Sequence, residues 1–293
     1  MTAPASWRHS RSAQRRAARL VGYGLTVIAL AAILAPFAWL VISAVSSQAD
    51  LITVPLRWIP EHPTLARLED LLFGSNAHAD AFRAAIRNSL LVTSASTAIS
   101  MVTGVLAAYA FARLRFPGRN WLIFVFMATY MLPGVAIILP IYSFFSSVGW
   151  LDTPWALIIV YSSFVTPFVI WLMRGYFETV PTDLDDAARI DGCSRLGALW
   201  RVVLPVSAPG LVSTALLAFL FSWDEFFFAL ILTQTEAGKT LPIAINDFIG
   251  RFTVDFPLLA SGGLIAALPP VIIAFVFQRR IVAGLTAGSV QGS

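Results

Sequence analysis

The chain has 293 residues, of which 58% are hydrophobic and only 12% charged, with a mean hydropathy of +0.77. That composition lies outside the range of soluble globular chains, so a bilayer must be the main solvent. A net charge of +4 could suggest a nucleic-acid partner, but the basic residues sit at the ends of apolar runs, not in one aromatic-interleaved patch, and no nucleic acid is expected.

Runs of about 18 or more mostly apolar residues read as membrane-spanning helices, because hydrocarbon offers the backbone no outside partner. Six are present: Leu20 to Ser46, Ala84 to Ala112, Trp121 to Phe145, Trp155 to Met173, Ala208 to Leu232 and Leu258 to Phe277. The expectation is an all-α polytopic membrane protein with a six-helix domain over residues 20–283, a basic N-terminus over 1–19 and a short tail over 284–293.

Orientation follows from the basic residues, since short loops rich in Lys and Arg stay in the cytoplasm. With the N-terminus inside, Arg8, Arg11, Arg15, Arg16, Arg19, Arg113, Arg115, Arg119, Arg174, Arg189, Arg195, Arg201, Arg279 and Arg280 are all cytoplasmic, 14 of the 20 basic residues. Six spans then place both termini in the cytoplasm. The basic start followed by an apolar run imitates a secretory signal, but the run exceeds the usual apolar core of about 7–15 residues and reads as an uncleaved first span.

The external loop 47–82 is interrupted by Pro55, Pro60 and Pro63 before a short amphipathic stretch from Leu65 to Phe73. Asn88-Ser89-Leu90 opens the second span, Leu132-Pro133-Gly134 and Leu139-Pro140 punctuate the third, and Gly149-Trp-Leu-Asp-Thr153 precedes the fourth. Prolines within spans, Pro36, Pro133, Pro140, Pro167, Pro269 and Pro270, remove helix bonds and can kink, as is common in membrane helices generally.

The cytoplasmic loop 177–205 carries the strongest local signals. Thr179 or Thr182 can cap a helix, Pro181 suits its first turn, and Asp183, Asp185 and Asp186 complement its positive N-terminus. Gly192 suits a left-handed C-terminal turn, Ser194 can cap a second helix, and Pro205 separates that helix from the fifth span. Cys193, the sole cysteine, cannot pair within the chain and reads as a small buried side chain. On composition alone an amphipathic loop on the membrane surface is favoured over a helix that docks on a partner.

This stretch resembles the EAA loop of the permease subunits of ABC importers, a pattern of Glu-Ala-Ala, three residues, Gly, and a later Leu-Pro. Asp186, Ala187, Ala188, Asp191, Gly192, Leu204 and Pro205 carry the match, after a Val180-Pro181 also typical of the family. Asp186 replaces the usual Glu, keeping the charge and shortening its reach by one methylene. The resemblance covers nearly the whole chain and is to the carbohydrate-uptake branch, similar to the second permease of maltose-type and glycerol-phosphate-type importers. It implies the type I importer fold and a bacterial-type inner membrane. The implied partners are a second permease, an ATPase dimer that binds ATP and Mg, an extracytoplasmic solute-binding protein, and a sugar-like solute. Asp183, Asp185, Asp186, Ala187, Ala188, Arg189, Asp191, Gly192, Leu199 and Pro205 would couple to the ATPase. The tail resembles one that reaches the ATPase, through Gly284, Leu285, Thr286 and Gly288, although Gln291 stands where a lysine is usual.

In the fifth span, Trp223, Asp224, Glu225 and Phe226 place two acids where charge is costly, so they should face protein or a water-filled cavity. They fit a translocation path, aromatic faces meeting sugar C–H surfaces and carboxylates accepting from hydroxyls. They fit equally a structural role, bonded to a partner permease or to backbone. The similar permeases usually carry Asn at position 224.

No phosphate-cradling Gly-x-x-x-x-Gly-Lys-[Ser/Thr] is present, so ATP must be bound by another chain, and His-Glu-x-x-His and Gly-x-Ser-x-Gly are absent as well. His9, His62 and His78 lie outside the expected spans, which supports no intramembrane metal site. An ion-driven secondary carrier is the alternative from another class. Such carriers often show internal repeats, and none is visible here.

Overall fold

The computed structural model describes residues 6–250 and 254–287, with side chains over 19–250 and 254–279. In chain order the helices are α1 (Ser6–Val45), α2 (Gln48–Ile52), α3 (Ala66–Phe73), α4 (Ala77–Arg113), α5 (Arg119–Tyr130), α6 (Gly134–Ser147), α7 (Pro154–Thr179), α8 (Thr182–Ile190), α9 (Arg195–Ala198), α10 (Leu204–Val206), α11 (Ala208–Trp223), α12 (Phe227–Leu232), α13 (Leu241–Asn246) and α14 (Phe256–Ala287). Four of them, over Arg19–Val45, Ala77–Arg113, Pro154–Thr179 and Phe256–Arg279, are each long and apolar enough to cross a membrane. Two bent pairs raise the number to six if each is one span.

The third expected span is therefore not one rod. α5 and α6 meet at 91° around Met131–Pro133. Pro133 has no N–H and starts α6 in extended geometry, while the N–H groups of Met131 and Leu132 close short turns onto Ala128 and Thr129. The fifth expected span also differs, because α11 ends at Trp223 and not at Leu232. Its 16 residues reach about 24 Å, short of a ~30 Å hydrocarbon core. A break at Asp224–Phe226 leads into α12, which continues to Leu232. The loop 47–82 holds α2, α3 and the start of α4, which begins at Ala77 and not at Ala84.

Two compact units divide the chain. In the unit of Met1–Leu68 with Phe252–Leu264, the Ser261 hydroxyl lies within hydrogen-bond distance of Pro257 O (2.8 Å) and Ala44 O (3.3 Å). Gln48 donates to Val254 O and accepts from the Phe256 N–H. A Ser47–Asp50 capping box starts α2. The apolar residues of α1 between Leu20 and Phe37 are exposed, as a lipid-facing helix requires.

The unit of Glu69–Arg251 with Ile265–Ser293 is organised by α4 and α7. Ala85, Ser89, Ser96, Ser100, Gly104 and Ala108 bring a small-residue stripe to one face of α4 at helical spacing. Ser96 donates to Ile158 O, Ser100 to Ser162 O, and Gly104 meets Val169, so positions increase together and the two helices run parallel. A Cβ on Gly104 would stand 2.6 Å from Val169 Cγ1, so close approach requires glycine there. Two parallel spans joined in sequence need a return crossing, and the bent α5–α6 pair supplies it.

Candidate coupling surface and translocation path

Residues 182–206 form a helix, a turn and a second helix, as their sequence indicates, with differences that bear on function. α8 starts at Thr182, and Pro181 holds the N-cap position without a side-chain cap, so neither Thr179 nor Thr182 serves as one. Gly192 adopts φ +87, the left-handed turn that glycine tolerates at least cost. The Ser194 hydroxyl accepts from Gly197 N at 3.1 Å and caps α9. A π-helical segment, Leu199–Val203, follows, and the Leu204 N–H reaches back to Leu199 O. This wider turn precedes Pro205, whose ring would clash with a normal preceding turn, and α9–α10 then meets α11 at 85°. Cys193 is free and half-buried, not buried.

The stretch is rooted in α4 and α7. Asp185, expected among the residues facing an ATPase, is instead buried: its Oδ2 lies 2.9 Å from Arg113 Nε, and its Oδ1 accepts the Tyr109 hydroxyl at 2.8 Å. Arg113 also donates to Val180 O at 2.6 Å, fastening the chain just before α8. Ala188 and Leu199 are buried too, and Leu199, Val203 and Leu204 pack with Val169, Met173 and Phe177 of α7 and Ala108 and Tyr109 of α4. Asp185 and Ala188 lie three residues apart on one face of α8, a spacing in the sequence that marks the inward side.

The opposite side is open. Asp183, Asp186, Ala187, Arg189, Asp191, Gly192 and Pro205 are exposed. So are apolar side chains: Ile190, legible in the sequence as an apolar residue of this short helix, is 86% exposed, and Leu196 and Trp200, not singled out from the sequence, are 58% and 62% exposed. The Asp186–Arg189 pair, at 3.9 Å and on the surface, contributes little. In the tail, Gly284, Leu285 and Thr286 continue the backbone of α14, their side chains outside the description, and Gly288 lies outside the described residues.

Of the four candidates for a path, three have internal duties. Trp223 is buried, and its indole N–H donates to Ala266 O at 3.1 Å. Glu225 accepts from the N–H groups of Phe228 (2.9 Å) and Ala229 (3.2 Å), capping α12, and Phe226 packs against the core that joins α6, α7 and α12. Asp224 is exposed; its N–H closes α11 onto Leu220 O, and its carboxylate makes no hydrogen bond or ion pair.

A cavity of about 490 Å³ opens where α5 bends into α6. Thr103, Thr129, Tyr130, Ser163 and Thr166 line it with hydroxyls, Phe126 and Phe164 with aromatic faces, and no charged residue takes part. Four of these hydroxyls donate to carbonyls of their own helices, which leaves their oxygens able to accept. Sequence patterning missed this cavity because only the bend brings its walls together.

At the other end of α4 and α7 the polar groups are consumed internally. Asn88 donates to Ala237 O (2.7 Å) and Lys239 O (3.0 Å), and the Ser89 hydroxyl accepts from Leu241 N at 2.7 Å. Asp152, at φ +64, accepts at Oδ1 from the N–H groups of Gln234 and Thr235. Burial alone would raise its pKa, but bonds from the Thr235 side chain and backbone and from Gln234, with the Lys239 charge, hold it below the ordinary carboxylate value. Lys239 lies between Glu236 and Asp247, at 2.6 and 2.7 Å, and these bonds outweigh burial and raise its pKa.

Comparison with known proteins now settles the class. Residues 82–286 match the family model of the binding-protein-dependent transport system inner membrane component. The chain is 35% identical over 257 residues to the sulfoquinovosyl glycerol transport system permease protein SmoH of Agrobacterium fabrum, covering 88% of each. It is 39% identical over 215 residues to the trehalose transport system permease protein SugB of Mycobacterium tuberculosis, covering 73% of this chain and 78% of that one. A chain from the crystal structure of a bacterial ABC transporter that imports the acidic polysaccharide alginate superposes with a TM-score of 0.75, covering 91% of this chain and 97% of that one. At 22% identity this likeness shows the fold alone. The chain belongs to the family of binding-protein-dependent transport system inner membrane components, and is a multi-pass inner-membrane permease subunit.

Proposed function

We propose that this chain is one of two permease subunits in an ATP-driven importer of a sugar or sugar-like solute. Thr182–Val206 receives the stroke of a separate ATPase dimer that binds ATP and Mg. The observation that carries the reading is the contrast within that stretch: a root locked to α4 and α7 by Asp185, Arg113 and Tyr109, and an exposed tip presenting Ala187, Ile190, Gly192 and Leu196. A docked tip on a rigid root passes motion of the partner to the spans without absorbing it. The excess of basic residues on this side supports a cytoplasmic position for it and for both termini. An extracytoplasmic binding protein would deliver solute to the opposite side, and the tail over Gly284–Gly288 would make a second ATPase contact.

Relatives named for sulfoquinovosyl glycerol and trehalose support a polyhydroxylated solute. The uncharged, hydroxyl-lined cavity at the α5–α6 bend, together with the exposed Asp224, is this chain's share of the path. The test is Ile190→Asp in the assembled complex. A charge placed in an apolar docking contact should remove most solute uptake and most ATPase retention on purification, with the permease still inserted. Undiminished uptake and retention would sink the coupling assignment.

A further inference from the structure

A cavity of about 370 Å³, lined by Arg115, Phe116, Gly118, Arg119, Asn120 and Trp121, lies in the connection between α4 and α5 and takes no part in the coupling stretch or the path. Its charge is unbalanced. Arg115 is exposed and has no ion pair or hydrogen bond, and Arg119 reaches only Glu178, at 3.6 Å. Arg174 takes the same Glu178 oxygen at 2.8 Å, so two arginines share one carboxylate and, with Arg115 unmatched, the cluster keeps a surplus of two positive charges. Arg113 next to it is already matched by Asp185.

The position of the cavity says what the surplus is for. It follows directly on the membrane-crossing helix Ala77–Arg113 and opens the next apolar helix, so it lies where spans leave the hydrocarbon. Trp121 is 66% exposed and stacks on Phe124, and Phe116 packs on Phe111, which gives the aromatic flank typical of the headgroup level. The left-handed turn at Gly118, φ +79, separates Arg115 from Arg119 while both line one cavity. Planar guanidinium groups beside a space of that size suit a phosphate, and an adjoining aromatic and apolar helix suits acyl chains.

We propose that this cavity binds the phosphate headgroup of an anionic phospholipid, with its acyl chains along α5 beside Trp121. The site fixes the α4–α5 connection to the bilayer surface and is independent of which solute the importer carries.

The test uses the full chain in its complex, purified in mild detergent and supplied with phosphatidylglycerol or phosphatidylcholine. Bound lipid is counted by native mass spectrometry. Phosphatidylglycerol should be retained in preference to phosphatidylcholine. Each arginine removed should weaken retention about five-fold, so Arg115→Gln shows one such step and Arg115→Gln with Arg119→Gln shows about twenty-five-fold. Arg115→Gln breaks no internal contact, which guards against misfolding, and Arg115→Lys with Arg119→Lys should recover most binding. Equal retention of the two lipids, or no loss in the double Gln variant, overturns the proposal. A parallel arm adds inorganic phosphate as a competitor and counts retained phosphatidylglycerol in the same way; if phosphate displaces the lipid as tightly as phosphatidylglycerol binds, the site serves a soluble anion and the lipid assignment fails.

Discussion

The two ends of the α4–α7 pair use polar groups in opposite ways. At the end bearing α8–α10, one buried ion pair with a tyrosine hydroxyl holds a stretch whose outer face exposes apolar side chains, Ile190, Leu196 and Trp200, among charged ones. At the other end, Asn88, Ser89, Asp152 and Lys239 spend their bonds on the backbone and acids of residues 232–247. Under the proposed coupling, the first arrangement would transmit a push from outside, because what is anchored is stiff and what is exposed can be gripped. The second braces a loop and leaves nothing to grip.

Removing the anchor should produce the largest effect. Asp185→Ala leaves Arg113 buried and unpaired, a loss of about 3 kcal/mol or more. Limited proteolysis within residues 182–206 should accelerate, and uptake should fall with ATP hydrolysis uncoupled from it. The double variant Arg113→Met with Asp185→Leu removes both charges and should recover much of the stability; if the single variant is already as protease-resistant as the parent, the ion pair is no anchor.

Asn88→Ala attacks the brace and should cost less. Two neutral hydrogen bonds to Ala237 and Lys239 are lost, about 1–2 kcal/mol. Hydrogen exchange should quicken over 233–241 and stay unchanged over 182–206, and a change spread evenly over both ends would erase the distinction between them.

The smallest effect is that of pH on the same brace. Folding lowers the Asp152 pKa, so its stabilisation is present above the unfolded value near pH 4 and is lost as pH falls through the lower folded value. Lys239 behaves in the opposite sense, contributing below its unfolded value near pH 10.4 and losing that contribution as pH rises through the higher folded one. Asp152→Asn keeps a residue that tolerates positive φ and should flatten the acid limb of a thermal-unfolding profile. An unchanged acid limb would remove Asp152 from the brace.

Much of the architecture is legible in the residues themselves, because hydrocarbon imposes simple rules. Apolar length marks the helices over Arg19–Val45, Ala77–Arg113, Pro154–Thr179 and Phe256–Arg279. Local chemistry is equally readable: Gly192 takes the positive φ that its place after a helix requires, and Ser194 caps α9 because a hydroxyl there meets an unpaired N–H. Leu132-Pro133-Gly134 announces an interruption but not its angle, since a missing N–H can yield a mild kink or a right-angle break according to what packs around it.

Directions of side chains are where sequence stops. Three aspartates in α8 look alike in the chain, yet Asp185 alone turns to Arg113, seventy-two positions earlier, because only the folded α4 brings that guanidinium there. Glu225 resembles a ligand-facing acid until α12 is seen to start beside it and claim both oxygens. The hydroxyl-lined cavity exists only because α5 and α6 fold across each other. Period, length, charge bias and turn chemistry act through neighbours in sequence, and the chain by itself determined what depends on them. Which buried charge meets which partner, and where bent helices leave space, depend on atoms far apart in the chain, and the tertiary structure alone decided them.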